Sequence, residues 1–172
     1  PKPEPPPQDP AAVVDGDVTV AYENGLRILV KRTPGAELVA MNLYLLGGAV
    51  ERSKALEGSE LLALRAAVRG GAGDNDKQAF FKRLNALGSS ISASVGQTYS
   101  KIAAKTLREN FAPTFAMLSD TLLRPRMPKS ELDVLRRQQL AGIANRSVTP
   151  DGRLRTLVKS QLYKDHPLGL YS

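Results

Sequence analysis

Apolar and polar residues alternate with period two over Val18, Val20 and Tyr22, and again over Leu26, Ile28 and Val30, which is the spacing of half-buried strands. Between them Asn24-Gly25 supplies two residues suited to left-handed backbone, so a tight hairpin is predicted. Thr33-Pro34-Gly35 breaks the pattern. The longer apolar run from Leu38 to Leu46 then predicts a third strand, buried on both faces and stopping at Gly47-Gly48. From there the period becomes helical. Leu56, Leu61, Leu64 and Val68 stripe a segment that ends at Gly70-Gly71, and Phe80, Phe81, Leu84 and Leu87 stripe another, behind the potential caps Asp74 and Asn75 and ending at Gly88.

Alternation returns at Ile91, Ala93 and Val95 and at Ile102, Ala104 and Thr106, predicting two more strands around Gly96-Gln97. The remainder is helical. Asn110 is read as the cap of a segment carrying Phe111, Phe115, Leu118 and Leu122 and broken at Arg124-Pro125. Ser130 with Asp133 resembles a capping box that opens Leu132, Leu135, Leu140 and Ile143. Thr149-Pro150 places a cap and a first-turn proline before Leu154, Leu157, Val158 and Leu162. The order βββ-αα-ββ-ααα is not an alternating parallel pattern. It predicts an α+β fold, with helices layered on a largely antiparallel sheet of about five strands.

Residues 1–16 stand apart, with six prolines in the first ten positions and almost nothing apolar before Val13, so they are read as an extended, flexible linker. The domain is expected over residues 17–172. Hydrophobic residues at 42% and charged residues at 24% are ordinary globular values, and no run of eighteen apolar residues exists to cross a membrane. The absence of cysteine excludes disulfides, thiolate metal sites and cysteine nucleophiles, and the single histidine, His166, excludes any metal site needing two imidazoles. A net charge of +7 invites a nucleic-acid reading, but acidic residues are interleaved with the basic ones and aromatics make up only 5%, leaving little to stack on bases. No nucleic-acid partner is expected. Gly70-Gly71-Ala72-Gly73 is read as a turn, Asp74-Asn75-Asp76 as helix capping rather than a calcium loop, and His166 as a surface or capping imidazole.

Several pieces in order carry more information than any one of them. Asn24 to Val30, the strand ending Gly47-Gly48-Ala49-Val50-Glu51, the helix after Gly58, the Leu87-Gly88 stop before Ser92-Ala93, Leu122-Leu123-Arg124-Pro125 and His166-Pro167-Leu168-Gly169 succeed one another with compatible spacing. Together they resemble the amino-terminal domain of the pitrilysin/insulinase-type zinc peptidases, a family that includes mitochondrial processing peptidase and the core proteins of the cytochrome bc1 complex. The resemblance covers about residues 17 to 172 and agrees with the α+β order. Because such domains continue past the His-Pro-x-Gly element with further strands, the resemblance also implies that this one is truncated at its C-terminal end.

In active members the helix after the conserved glycine carries HxxEH, whose histidines bind zinc and whose glutamate activates the bound water, and a later glutamate completes the ligands. Aligned on Gly58, the histidine positions fall on Leu61 and Arg65 and the base on Leu64. The distal ligand, about 77 residues beyond the second histidine in the family, falls on Gly142. All four are lost, and Glu60 has no histidine near it in sequence. No catalytic residue, metal or cofactor is therefore expected in this chain, and zinc only in a partner subunit. The resemblance further implies an edge strand able to take up an extended peptide, at Ser90, Ser92, Ala93 and Ser94, with a self-protected, blunt edge as the alternative. The expected function is that of an inactive subunit that pairs with a zinc-bearing homologue as a heterodimer or larger oligomer and builds a chamber for peptide processing. A purely structural domain with no part in proteolysis, or one part of a longer protease with its zinc site elsewhere, are the alternatives. The proline-rich start points to the periplasm or cell envelope of a bacterium.

Overall fold

A computed structural model of the protein describes residues 13–15, 17–48, 54–164 and 166. Most of the expected linker, the Ala49-Val50-Glu51 end of the third predicted strand and the Pro167-Leu168-Gly169 element lie outside the described residues. The contacts divide the chain into two compact units, one reaching Ala36 and the other beginning at Glu37.

The first unit is an antiparallel ladder of β1 (Val13–Asp15), β2 (Val18–Glu23) and β3 (Leu26–Lys31), in that order. Asn24 at φ 51° and Gly25 at φ 80° form the predicted left-handed turn, which sets Val20 opposite Leu29. The ladder begins at Val13, upstream of the Asp17 expected from alternation, because the three residues of β1 pair with Val18 to Val20. A strand of three residues is too short to show a period of its own.

The second unit contains β4 (Leu38–Leu46), α1 (Ser59–Arg69), the two-residue strands β5 (Gly71–Ala72) and β6 (Asn75–Asp76), and α2 (Lys77–Ala86). β7 (Ser90–Val95), β8 (Tyr99–Leu107), α3 (Phe111–Leu123), α4 (Lys129–Val148) and α5 (Pro150–Leu162) follow. Its main sheet has the order β4-β8-β7 and is antiparallel throughout. All the strands expected from alternation are present, and the α+β class stands. Their pairing is divided between two three-stranded ladders, one per unit.

The core lies where Phe80 and Leu84 of α2, Ile91 of β7, Ile102 of β8 and Met117 and Leu118 of α3 meet, all nearly inaccessible to water. Burying side chains of this size stabilises the fold by about 1.5–3 kcal/mol each. Beside them Ser89, Thr106 and Thr114 bring three buried hydroxyls together, Ser89 Oγ lying 2.8 Å from each threonine Oγ1 and the two threonines 3.0 Å apart. Mutual hydrogen bonding lets polar groups sit in an apolar core. The glycines after α1 permit another close contact: a Cβ at Gly70 would stand 1.9 Å from the Arg126 carbonyl. The chain leaving α3 therefore runs against β5, with Arg126 N–H donating to Gly71 O and Gly73 N–H to Arg124 O. Asp120 accepts from Arg124 at 2.7 Å, and this bond, reinforced by the carboxylate charge, holds the guanidinium pKa above its usual value.

Four local expectations are corrected. β4 is not buried on both faces: Val39, Met41 and Leu43 are half-buried, whereas Leu38, Ala40, Asn42 and Tyr44 are exposed. The pleat sends alternate side chains to opposite faces, and Met41 packs on the core from one of them. The cap of α2 is Asp76, whose Oδ1 accepts from Ala79 N–H at 2.9 Å, because pairing with β5 keeps the backbone extended as far as Asp76. Asn110 caps nothing with its side chain; Nδ2 donates instead to Leu87 O at 3.1 Å and ties the start of α3 to the end of α2. There is no capping box at Ser130, since α4 starts from Pro128, whose carbonyl accepts from Glu131 and Leu132 N–H. By contrast, Gly88 stops α2 at φ 57°, and Thr149 Oγ1 accepts from Gly152 N–H with Pro150 in the first turn of α5, as predicted.

Candidate functional site

α1 begins at Gly58, which holds φ 76° and leaves the first turn of the helix without a side-chain cap. Its core-facing stripe runs through Leu64, packed against the core cluster, to the buried Ala66, Ala67 and Val68. Leu61 and Arg65, at the two positions where the resemblance puts histidines, are half-buried on the same helix. α1 packs against both β7 and α4, so the helix that would carry HxxEH, the helix that would carry the distal ligand and the candidate peptide strand share one neighbourhood.

The tie between α1 and α4 is a hydrogen bond absent from the sequence expectations. Gln139 Nε2 donates to Gly58 O at 2.9 Å, while its Oε1 is buried without a hydrogen-bond partner. The left-handed backbone favours glycine at 58, and a Cβ there would lie 2.6 Å from that same nitrogen and push the Gln139 amide aside. Gln139 precedes Gly142, and Gly58 precedes Leu61, by three residues each. The link therefore joins the two helices one turn before the positions at which zinc would join them. Nothing in the sequence marks it, since glutamine is an ordinary residue at any exposed helical position.

These residues do not fit a zinc ion. Two leucines and a guanidinium offer no lone pair, Arg65 adds a like charge, and a Cβ at the exposed Gly142 would meet nothing within 4 Å. The neighbouring carboxylate, Glu60, is engaged elsewhere: its Oε1 accepts from the fully buried Ser100 hydroxyl of β8 at 2.7 Å. Among the described residues no three histidine, aspartate or glutamate side chains converge.

β7 pairs with β8 along one edge, and among the described strands it has no ladder partner on the other. Ile91 is buried and Ala93 half-buried on the core face, whereas Ser90, Ser92 and Ser94 are exposed. An edge of this kind presents unpaired backbone N–H and C=O groups in a row, which is the geometry for adding an extended peptide to a sheet. The backbone N–H of His166 donates to Tyr163 O at 2.7 Å after α5, and its ring stands 6.3 Å from that of Tyr163. No helix among the described residues is long and apolar enough to cross a membrane.

No curated protein matches the chain in sequence. Among solved structures it is similar to the inactive domain of a peptidase of family M16 from Pseudomonas fluorescens, with a TM-score of 0.82 at 19% identity, over 91% of this chain and 38% of that one. It is also similar to a protease from Helicobacter pylori, with a TM-score of 0.75 at 14% identity, over 89% of this chain and 37% of that one. The chain thus spans less than two fifths of the length of either, and at these identities the likeness establishes the fold. The sequence itself matches the family model of insulinase (peptidase family M16) over residues 27–171, and the chain belongs to that family.

Proposed function

We propose that this chain is a non-catalytic member of its peptidase family that pairs with a zinc-bearing homologue and contributes wall and peptide-holding surface to a shared processing chamber. The observation that carries this reading is the replacement of all four metal and base positions, by Leu61, Leu64, Arg65 and Gly142, in a fold that keeps α1, α4 and β7 together. A domain that retains the architecture around a site and none of its ligands is under an architectural constraint. The Pseudomonas fluorescens neighbour, described as an inactive domain, is support by analogy.

In this reading the chain supplies no step of hydrolysis. Its contribution is β7, whose open edge takes an extended peptide by backbone hydrogen bonding, with Ser90, Ser92 and Ser94 on the exposed face offering small hydroxyls in place of bulky side chains. The chain from Val13 onward acts as the amino-terminal domain, the proline-rich start before it as its tether, and the bacterial envelope as its place of work. The test is purification of the full-length protein from its native host. Recovery of a zinc-dependent homologue whose peptidase activity drops when this gene is deleted is the expected result. Stoichiometric, chelator-sensitive zinc on this protein alone would overturn the reading, as would intact proteolysis in the deletion strain.

A further inference from the structure

The face of the main sheet turned away from the core carries charge that nothing answers. Along β8 the residues Ser100, Ile102, Ala104 and Thr106 are buried, so Tyr99, Lys101, Ala103, Lys105 and Leu107 lie on the other face. The register sets Ser94 of β7 beside Lys101, Ser92 beside Ala103 and Ser90 beside Lys105, and all three serines are exposed. On the other flank β4 sets Tyr44, Asn42 and Ala40 beside the same three residues. Two ammonium groups therefore stand four residues apart on this face, and none of the residues that β4, β8 and β7 place with them is acidic. Neither Lys101 nor Lys105 has an ion-pair or hydrogen-bond partner among the described residues.

The open edge of β7 lies one strand away from them. An extended peptide added there becomes the next strand of the sheet, and every second side chain of it stands on this face, in the rows of Ser90, Ser92 and Ser94. Its backbone runs roughly 9.5 Å from that of β8, two strand spacings. Serine is short enough to leave the gap between them open, and a lysine on its four-carbon stem can meet a glutamate across it. The rows also fix a spacing. Carboxylates that answer both lysines belong four residues apart in the peptide, opposite Ser90 and Ser94, with the uncharged row of Asn42, Ala103 and Ser92 between them. Glutamates three apart fall on opposite faces. A nucleic-acid strand offers anions too, but it cannot extend a backbone ladder, and the aromatic pair of this face, Tyr44 and Tyr99, sits on β4 and at the start of β8, away from the edge. We propose that β7 and the two lysines beside it select extended peptides with acidic residues four apart on one side. This rests on the peptide-holding role of β7 in the reading above, and not on the zinc-bearing partner.

The test uses the full-length protein purified from its native host and short, fluorescein-labelled, threonine-rich peptides that carry two glutamates four apart, two glutamates three apart, or two glutamines four apart. Fluorescence anisotropy should show the first binding several-fold tighter than either of the others, the scale of one or two solvent-facing ion pairs, although the first two share composition and charge. Lys101→Gln with Lys105→Gln should erase that preference and leave the affinity of the glutamine peptide unchanged, and raising salt from ~0.05 to ~0.5 M should shrink it. A photo-cross-linker in the peptide should map to residues 90–95. Equal affinity for all three peptides, with cross-links at β7, would overturn the selection and leave the peptide-holding role standing. Binding of none of them, cross-links elsewhere, or a β7 edge covered by further residues of the same polypeptide would overturn both. A single-stranded oligothymidylate that displaces the four-apart peptide as well as that peptide displaces itself would replace the proposal with a general anion site. Proteolysis that stays intact in the deletion strain would sink the pairing alone.

Discussion

The helices on the two sides of α4 carry equally clear apolar stripes and meet opposite fates. α2 and α3 close over β7 and β8, and Phe80, Leu84, Met117 and Leu118 are almost wholly withdrawn from water. α5 repeats the same spacings with Leu154, Leu157, Val158 and Leu162 and leaves all four largely exposed. α4 passes from one regime to the other along its length, from the buried Leu135 to Leu140 and Ile143, which are 56% and 45% exposed. Gln139, held to Gly58, sits at the crossover. A stripe therefore reports that a helix has a face to bury, and the neighbours it finds decide whether that face is burdened with folding or left for something else.

Substitutions on either side of Gln139 should separate the two regimes by the size of their effect on stability. Phe80→Ala removes the largest fully buried side chain and should cost about 3–5 kcal/mol in denaturant unfolding. A loss below about 1 kcal/mol would mean that the core is looser than its burial indicates. Ser89→Ala takes the shared partner from Thr106 and Thr114 and should cost about 1–3 kcal/mol, as the two threonine hydroxyls stay buried with one partner fewer each. Ser89→Ala together with Thr106→Val and Thr114→Val should recover part of that loss. A triple variant worse than the single one would show that the hydroxyls do more than satisfy one another.

At the crossover, Gly58→Ala forces a side chain into left-handed backbone against Gln139 and should cost about 1–2 kcal/mol. Hydrogen exchange in the first turn of α1 and the middle of α4 should rise together, and a rise in one alone would break the claim that Gln139 joins them. The smallest effect belongs to α5: Leu157→Ser should change unfolding free energy by no more than about 0.5 kcal/mol, the usual range for an exposed position away from special features. A loss above about 1.5 kcal/mol would place α5 in the folding core and abolish the contrast.

That the aligned positions offer zinc no side-chain ligand follows from residue identity alone, since leucine at 61 and 64, arginine at 65 and glycine at 142 carry no donor lone pair in their side chains. What joins the helices instead was not legible. Gln139 reaches Gly58, and Ser100 reaches Glu60, across long stretches of sequence, and amides and hydroxyls at those positions look like solvent-facing residues until the partner helix or strand is in place. The misplaced caps have the same origin. Asn75 and Asn110 have side chains suited to helix starts, but one is committed to the β5–β6 pair and the other to Leu87, and tertiary pairing outweighs a local preference worth about 1 kcal/mol.

The sequence by itself determined the elements and several of their ends, because these follow from local chemistry: left-handed backbone at Asn24-Gly25 and Gly88, the proline and threonine opening α5, the change of hydrophobic period from two to near 3.6. It also determined that this chain offers a metal no cysteine thiolate and no pair of imidazoles, because ligation needs particular atoms. The tertiary structure decided which stripes become core, which edge of which strand stays open and which polar groups answer one another. Periodicity states that a face is apolar but carries no address for its partner, and that address exists only once distant segments have been brought together.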